Sequence, residues 1–281
     1  MSNTNETKEL LTEELDQKLN ALREYIRSLG SLAVGFSGGV DSTLMLAAAH
    51  EVLGDKALAV TAFAESIPER ELEEAKAFCK EHGIRHIIAN IEQLKMEAFR
   101  TNSPDRCYHC KRAIFTRIGQ IAAQNGIEYL AEGSNMDDLG DYRPGLRAVD
   151  ALAVKSPLRE AGLTKSDIRQ ISKALGLPTW DKPSYACLAS RFVYGEEITV
   201  EKLRMVEKAE DFLIERGFVE ERVRMHGMTA RIEVPAKDIA RLASDENRAA
   251  VFEEFKKIGF DFVTLDLGGY RTGSMNAAIG K

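Results

Sequence analysis

A chain of 281 residues is near the upper limit for one hydrophobic core, so it holds one large domain or two smaller ones. Apolar residues make up 44% and charged residues 29%, as in soluble globular enzymes, and no apolar run approaches the ~20 residues that span a bilayer. A net charge of −6 argues against a broad basic face for duplex nucleic acid. The start, MSNTNETKELLTEELDQKL, is polar and acidic and does not read as a signal peptide, so a cytoplasmic location is expected. The four cysteines, Cys79, Cys107, Cys110 and Cys187, then read as reduced, ligating or catalytic, and not as a disulfide framework.

Leu10, Leu11, Leu15, Leu19, Leu22 and Ile26 recur at helical spacing over 6–29, and Gly30 ends that helix. SLAVGF (31–36) is a buried strand, followed by a helix over Thr43–Leu53. ALAVTAF (57–63) is a second strand, Pro68 opens a helix to His82, and RHIIANI (85–91) is a third strand. Ser103-Pro104 caps a helix that runs to Asn125-Gly126. EYLAEGS (128–134) is a fourth strand, LAVKSPL (152–158) a shorter fifth, and Thr164 begins the helix TKSDIRQISKALG. This alternation predicts an α/β fold, a parallel sheet flanked by helices on both sides. Ligands in such sheets bind beyond the carboxyl ends of the strands, so the loops at 37–42, 63–68, 103–110 and 133–147 are expected to share one site. The pattern changes in a loop-like stretch around 180–198. A helix (199–216), two strands turning at Gly227, a helix (236–257) and the strand FVTLDL follow. The predicted domains are 1–190 and a smaller α+β unit, 191–281.

VGFSGGVDSTLMLAAAH (34–50) packs a strand, a glycine turn and a helix into one short stretch. Gly38 and Gly39 let the backbone approach a ligand, and the helix start favours an anion. The lysine of GxxxxGK[ST] is absent, so the loop suits a pyrophosphate that leaves as a unit, with chemistry at the α-phosphate. SGGVDS (37–42) resembles the signature of the PP-loop ATP pyrophosphatases. That resemblance implies an ATP site built on Ser37, Gly38, Gly39, Asp41 and Ser42, with adenine against Thr61, Ala62 and Phe63. In EGSNMDD, Gly133 permits close approach, and Ser134 and Asn135 are candidate partners of ribose or phosphate. Asp41 is a candidate for Mg²⁺ or for loop stabilisation, Asp137 and Asp138 for Mg²⁺ or turn capping, and Arg143 for phosphate or a loop ion pair.

SPDRCYHCK places Cys107 and Cys110 at i, i+3 on a first helical turn, sharing a face suited to metal. A second CxxC, as in a Cys₄ zinc site, is absent. With Cys187 they form a candidate cradle for a [4Fe–4S] cluster with one open iron. Cys187 acting alone as nucleophile or persulfide carrier is the other chemical reading, and three buried reduced thiols the bland one. His109 points to a different face. Cys79 aligns with Leu72 and Ala75 and is expected in the core.

Beyond SGGVDS, the blocks RCYHCK, EGSNMDD, YRPGLRA, SPLREAGLTKSDIR, ALGLPTWDKPSYACLASR, YGEEIT and RVRMHGMTARIE occur in that order. Together they resemble the LarE family, ATP-dependent sulfur transferases of nickel-pincer nucleotide biosynthesis, over roughly 10–280. The resemblance implies adenylation of the carboxylates of pyridinium-3,5-dicarboxylate mononucleotide, release of PPi, and replacement of AMP by sulfur. Single-cysteine members sacrifice the cysteine matching Cys187. The added Cys107 and Cys110 point instead to the cluster-bearing kind, with sulfide from an external source. ATP, Mg²⁺ and a [4Fe–4S] cluster are the implied cofactors, and a homo-oligomer the implied assembly, without nucleic acid or membrane. Arg222 and Arg224 alternate along one strand face, and with Arg231 and His226 they are candidates for the substrate phosphate. Glu210, Glu233 and Asp238 are candidates for metal or ion pairing. A tRNA thiolase, or a nucleotide or iron–sulfur sensor without catalysis, are the competing readings.

Overall fold

A computed structural model describes residues 11–139, 144–183 and 186–271; Arg143 and residues 6–10 of the first predicted helix lie outside them. The main elements in chain order are α1 (Glu13–Leu29), β1 (Leu32–Gly35), α2 (Val40–Leu53), β2 (Ala57–Phe63), α3 (Glu69–Glu81), β3 (Arg85–Asn90) and α4 (Arg106–Gln124). They continue with β4 (Tyr129–Ala131), α5 (Pro144–Ala151), α6 (Lys165–Ala174), α7 (Val200–Glu215), β5 (Arg222–His226), β6 (Thr229–Glu233), α8 (Asp245–Ile258) and β7 (Phe262–Leu265). The chain divides into two compact units, Met1–Ile91 with Cys107–Ser184, and Glu92–Arg106 with Tyr185–Lys281.

The first unit is the expected α/β fold. Its four strands are parallel in the order β3-β2-β1-β4, with Val34 level with Ala59 on one side and Ala131 on the other. Strand periodicity sorts the two faces. Leu32 and Val34 join a core with Leu15, Leu19, Leu22 and Ile26 of α1 and with residues of α2 and α6. Ala33, Leu58 and Val60 face the other way, against Phe115, Ile118 and Ile121 of α4. Each large apolar side chain buried in this way contributes about 1.5–3 kcal/mol relative to exposure. Thr12 caps α1 through Leu15 N, 3.3 Å away, as its position before an acidic first turn requires.

The predicted fifth strand is not formed. Lys155 makes a single bridge to Ala131, donating to Leu130 O at 2.8 Å and accepting from Glu132 N at 3.0 Å. The ladder stops there because Ser156 turns its hydroxyl to Glu132 and Pro157 opens the helical turn Pro157–Glu160.

In the second unit the hairpin β5–β6 is antiparallel and β6–β7 parallel. Gly227 sits in the turn at φ +58°, a conformation few other residues adopt cheaply. The apolar face of α7 is buried through Leu203, Val206, Ala209 and Leu213, and α8 contributes Val251 and Phe255. The helix predicted over 236–257 is broken: a turn at Ile239–Leu242 ends before Ser244, and α8 starts afresh behind SDE, a sequence that favours helix starts. The segment 92–106, which reads as continuous with the first domain, packs with the second unit. Asn102 Nδ2 donates to Phe192 O and Val193 O at 3.1 and 2.6 Å, and Ile198 N donates to Arg100 O at 2.8 Å.

Candidate active site

The phosphate loop follows directly from its residues. β1 ends at Gly35, where a side chain would meet the Phe115 ring at 3.2 Å. Gly38 takes φ +69°, and Gly39 stands at the helix start with no side-chain cap. Ser42, buried, donates to Gly39 O at 3.1 Å and accepts from Ser37 N at 3.3 Å, so one hydroxyl braces the turn. Ser37 and Ser42 hydroxyls lie 3.1 Å apart. The result is a helix N-terminus open to an anion.

The loop after β4 closes on it. A Cβ at Gly133 would sit 3.2 Å from Asp41 Cβ and 3.3 Å from Ser42 N, so glycine is required by contact. Asn135 Nδ2 donates to Asp41 Oδ1 at 3.1 Å, and Lys165 Nζ pairs with Asp41 Oδ2. Asp41 is thus tied to Asn135 and to Lys165, one contact on each carboxylate oxygen. Asp137 and Asp138 serve the turn: Asn135 N donates to Asp138 Oδ2 at 2.9 Å, and Lys165 N to Asp137 Oδ2 at 2.8 Å. Lys182 Nζ donates to Gly38 O at 3.1 Å and pairs with Glu74 at 2.6 Å. Lys165 and Lys182 were not picked out from the sequence. The cue was the absent loop lysine, which leaves phosphate charge to be met from neighbouring loops.

Phe63 is half-buried at the carboxyl end of β2, beside Thr61. The Thr61 hydroxyl donates to Phe36 O at 2.8 Å, so the bond at 2.8 Å from His86 Nε2 has the imidazole as donor. Burial, and secondly Lys76, push the His86 pKa below its ordinary value.

The CxxC is on the first turn of α4, with Cys107 exposed and Cys110 half-buried. Lys111, next in sequence, pairs with Glu132 Oε2 at 3.2 Å. Glu132 Oε1 accepts from Ser134 N at 3.0 Å and from Ser156 Oγ at 2.9 Å. Burial opposes the Glu132 charge, but Lys111 and these bonds outweigh it and hold the carboxyl below the usual range. His109 lines the outer face of α4 with Arg112 and Arg117. Cys79 is in the core, where burial pushes its thiol up to about 12. Among the described residues, no three His, Cys, Asp or Glu side chains group as ligands of a metal ion.

In the second unit Cys187 is exposed at the start of the turn Leu188–Arg191. Arg191 is buried and makes a two-pronged pair with Glu210, both contacts at 2.8 Å. It also donates to Ala186 O at 2.7 Å and to Cys187 O at 3.3 Å. Burial opposes both charges of the pair. Their mutual attraction prevails, lowering the Glu210 pKa and raising that of Arg191. Arg224 and Arg231 stand opposite each other across the hairpin, and Arg222 opposite Glu233. The expected basic face is therefore assembled, but against carboxylates. Arg224 pairs with Glu233 at 3.0 Å and donates to Ser190 O at 2.8 Å. Arg231 pairs with Glu233 at 3.0 Å and with Asp266, and its Nε donates to His226 Nε2 at 3.2 Å. Burial, then Arg231, lower the His226 pKa. Arg222 is buried over the Tyr270 ring, 4.9 Å from its centroid. Glu210 and Glu233 are thus ion-pair partners, and Asp238 makes an exposed pair with Arg241 at 3.2 Å. Arg191 was not singled out in the sequence, although it ends the same block as Cys187.

A strand, a lysine-free glycine turn and an open helix start, on a parallel sheet, define a PP-loop ATP-utilising enzyme. Known proteins agree: the NAD synthase family matches residues 14–119. A glutamine-hydrolyzing GMP synthase chain of Archaeoglobus fulgidus is 28% identical over 213 residues, 69% of this chain and 67% of that one. An uncharacterized protein of Synechocystis sp. is 42% identical over 95% of this chain and all of its own. Pyridinium-3,5-bisthiocarboxylic acid mononucleotide synthase of Lactiplantibacillus plantarum is 37% identical over 95% of this chain and 96% of its own. The chain belongs to the LarE family of ATP-dependent sulfur transferases. No helix among the described residues is long and apolar enough to cross a membrane.

Proposed function

We propose that this enzyme converts pyridinium-3,5-dicarboxylate mononucleotide to the bis-thiocarboxylate in two cycles. In each, a substrate carboxylate oxygen attacks the α-phosphorus of ATP and PPi leaves. Sulfur then attacks the acyl carbon, the C–O bond to AMP breaks, and a thiocarboxylate remains. The observation that carries the reading is the phosphate loop itself, an open helix start braced by Asp41, with Lys165 at the start of α6 and Lys182 on a neighbouring loop. Such a site favours a departing pyrophosphate. The name of the Lactiplantibacillus relative supports the substrate.

Ser37, Gly38, Gly39, Ser42, Gly133 and Asn135 hold the phosphates and ribose, Phe63 the adenine, and Mg²⁺ accompanies the PPi. Arg222, Arg224, Arg231 and His226 take the substrate phosphate, with the guanidinium groups of Arg224 and Arg231 held by Glu233 and Asp266. Cys107, Cys110 and Cys187 are the sulfur machinery. In kind they are cluster ligands, two thiols one helical turn apart and a third at an exposed turn, while among the described residues the three do not group as a metal site. When bound, that group supplies a labile sulfide at an open iron. The chain's own part is to supply the thiols and to hold the Cys187 turn through Arg191. A cytoplasmic homo-oligomer completes the reading.

The test is anaerobic purification with iron and sulfide analysis, then turnover with ATP and the dicarboxylate nucleotide. Several turnovers at unchanged chain mass are expected. A single turnover with loss of H₂S from Cys187 would replace the cluster by sacrifice of that cysteine. Absence of PPi release with this substrate would overturn the proposal.

A further inference from the structure

Helix α6 carries a basic stripe of which the chemistry above uses one residue, Lys165. Lys165, Arg169 and Lys173 stand four positions apart and so share one face of the helix. All the residues concerned belong to the first unit. The helix itself is fixed. Ile168 and Ile171 are buried in the core, Thr164 caps the start by accepting from Asp167 N at 3.2 Å, and Asp167 pairs with Lys18 of α1 at 2.9 Å. Each basic residue of the stripe then grips a neighbour. Lys165 pairs with Asp41 in the phosphate loop. Arg169 straddles the turn at 179–182: Nη1 donates to Trp180 O and Nη2 to Lys182 O, both at 2.8 Å. Lys173 lies over the Trp180 ring, 4.7 Å from its centroid. Lys182, at the end of that turn, places its ammonium on Gly38 O at 3.1 Å.

One helix therefore reaches the phosphate loop at two points. Lys165 holds Asp41 directly. Arg169, one turn further on and about 6 Å along the axis, reaches Gly38 through Lys182. The second connection needs an anchor, because the turn has little backbone support of its own. Lys182 N donates to Thr179 O at 3.1 Å, and Pro183 has no N–H to give. A lysine on such a turn has a flexible stem, and ordering it against an anion costs conformational entropy. The Arg169 fork meets part of that cost in advance by taking two carbonyls of the turn at once. Lys182 is then held at its carbonyl by Arg169, and at its ammonium by Gly38 O and by Glu74 Oε2 at 2.6 Å. We infer that Arg169 is a positioning residue for pyrophosphate, presenting Lys182 to a phosphate loop whose own sequence has no lysine. This rests on the proposed ATP site. It adds how the missing cation is delivered: from outside the loop, by a turn clamped to α6.

Arg169→Lys keeps the charge and loses the fork, and Arg169→Ala removes both. Each is made alone and together with Lys182→Met in the full chain. Magnesium pyrophosphate is titrated in by calorimetry, and quenching of Trp180 by acrylamide is followed. Trp180 is the sole tryptophan, so its emission reports on this turn. Both Arg169 variants are expected to quench more readily and to bind pyrophosphate about tenfold more weakly, the scale of one charge-assisted hydrogen bond. In the Lys182→Met background the same changes should cost no further affinity, because Arg169 acts through Lys182. Unaltered quenching, unchanged affinity, or an equal loss with and without Lys182 overturns the inference and leaves the ATP site standing. An arginine that only stabilised the turn would leave affinity unchanged, and one that only added positive charge would give the equal loss. A wild type that binds neither pyrophosphate nor ATP overturns the ATP site, and the inference with it.

Discussion

Lys165 and Gly133 bear on the nucleotide at the level of single side chains. Lys165 balances Asp41 at the mouth of the phosphate loop. Lys165→Ala removes one cation and leaves that carboxylate facing the phosphates. The expected effect is a rise in the KM for ATP of roughly ten- to a hundredfold, the equivalent of one charge-assisted hydrogen bond, measured by ATP–PPi exchange. An unchanged KM would show that Lys165 only braces the turn. Gly133→Ala inserts a methyl at 3.2–3.3 Å from Asp41 and a backbone nitrogen. It should cost about 1–3 kcal/mol in urea unfolding and depress exchange by more than that loss explains. In the second unit, Glu210→Gln leaves Arg191 buried without its counter-charge, and about 3–5 kcal/mol of destabilisation is expected from the same measurement. The sequence showed the glycine turn and the cysteines because their chemistry is local. It did not show Lys165, Lys182 or Arg191, whose roles depend on partners 124 and 144 positions away in two cases, Asp41 and Gly38, and on Glu210 in the third.

The elements were legible in proportion to how far local pattern governs them. ALAVTAF is a strand over the whole span expected, Ala57–Phe63, because it is apolar, bounded and central in the sheet. LAVKSPL has the same composition but forms one bridge, since Pro157 and the Ser156–Glu132 bond end the ladder. The helix over 236–257 broke at Ser244, which takes extended backbone while its hydroxyl donates back to Arg241 O at 2.9 Å. Packing of these elements also sets a pH response. His86, on β3 and bonded to Thr61, has a pKa held below its ordinary value, as do the carboxyls of Glu132 and Glu210. In each case the folded state binds protons less readily than the unfolded chain. The stability they contribute is therefore present above the unfolded pKa and is lost as pH falls. The urea midpoint should decline from roughly pH 6.5 downward through histidine, and again below about 4.3 through the carboxylates. His86→Gln should flatten the first decline; an unaltered profile would assign it elsewhere.

For the molecule as a whole, the excursion of 92–106 into the second unit is the feature the sequence did not convey. That segment returns through backbone and amide bonds to Phe192, Val193 and Gly195, pairings with no compositional signature. Charge sets a further expectation at this scale. With a net charge of −6, the chain should show no salt-sensitive retention on tRNA at moderate ionic strength. Firm retention with a steep salt slope would favour the RNA-thiolating reading instead. The Glu132 carboxylate has one oxygen on Lys111, beside Cys110, and the other on Ser134, beside Asn135. A single rigid group thus spans the distance from thiol helix to nucleotide turn with no slack between them. Alkylation of Cys110 is consequently expected to change in rate when ATP is added, and an unchanged rate would show that this carboxylate does not couple the two sites.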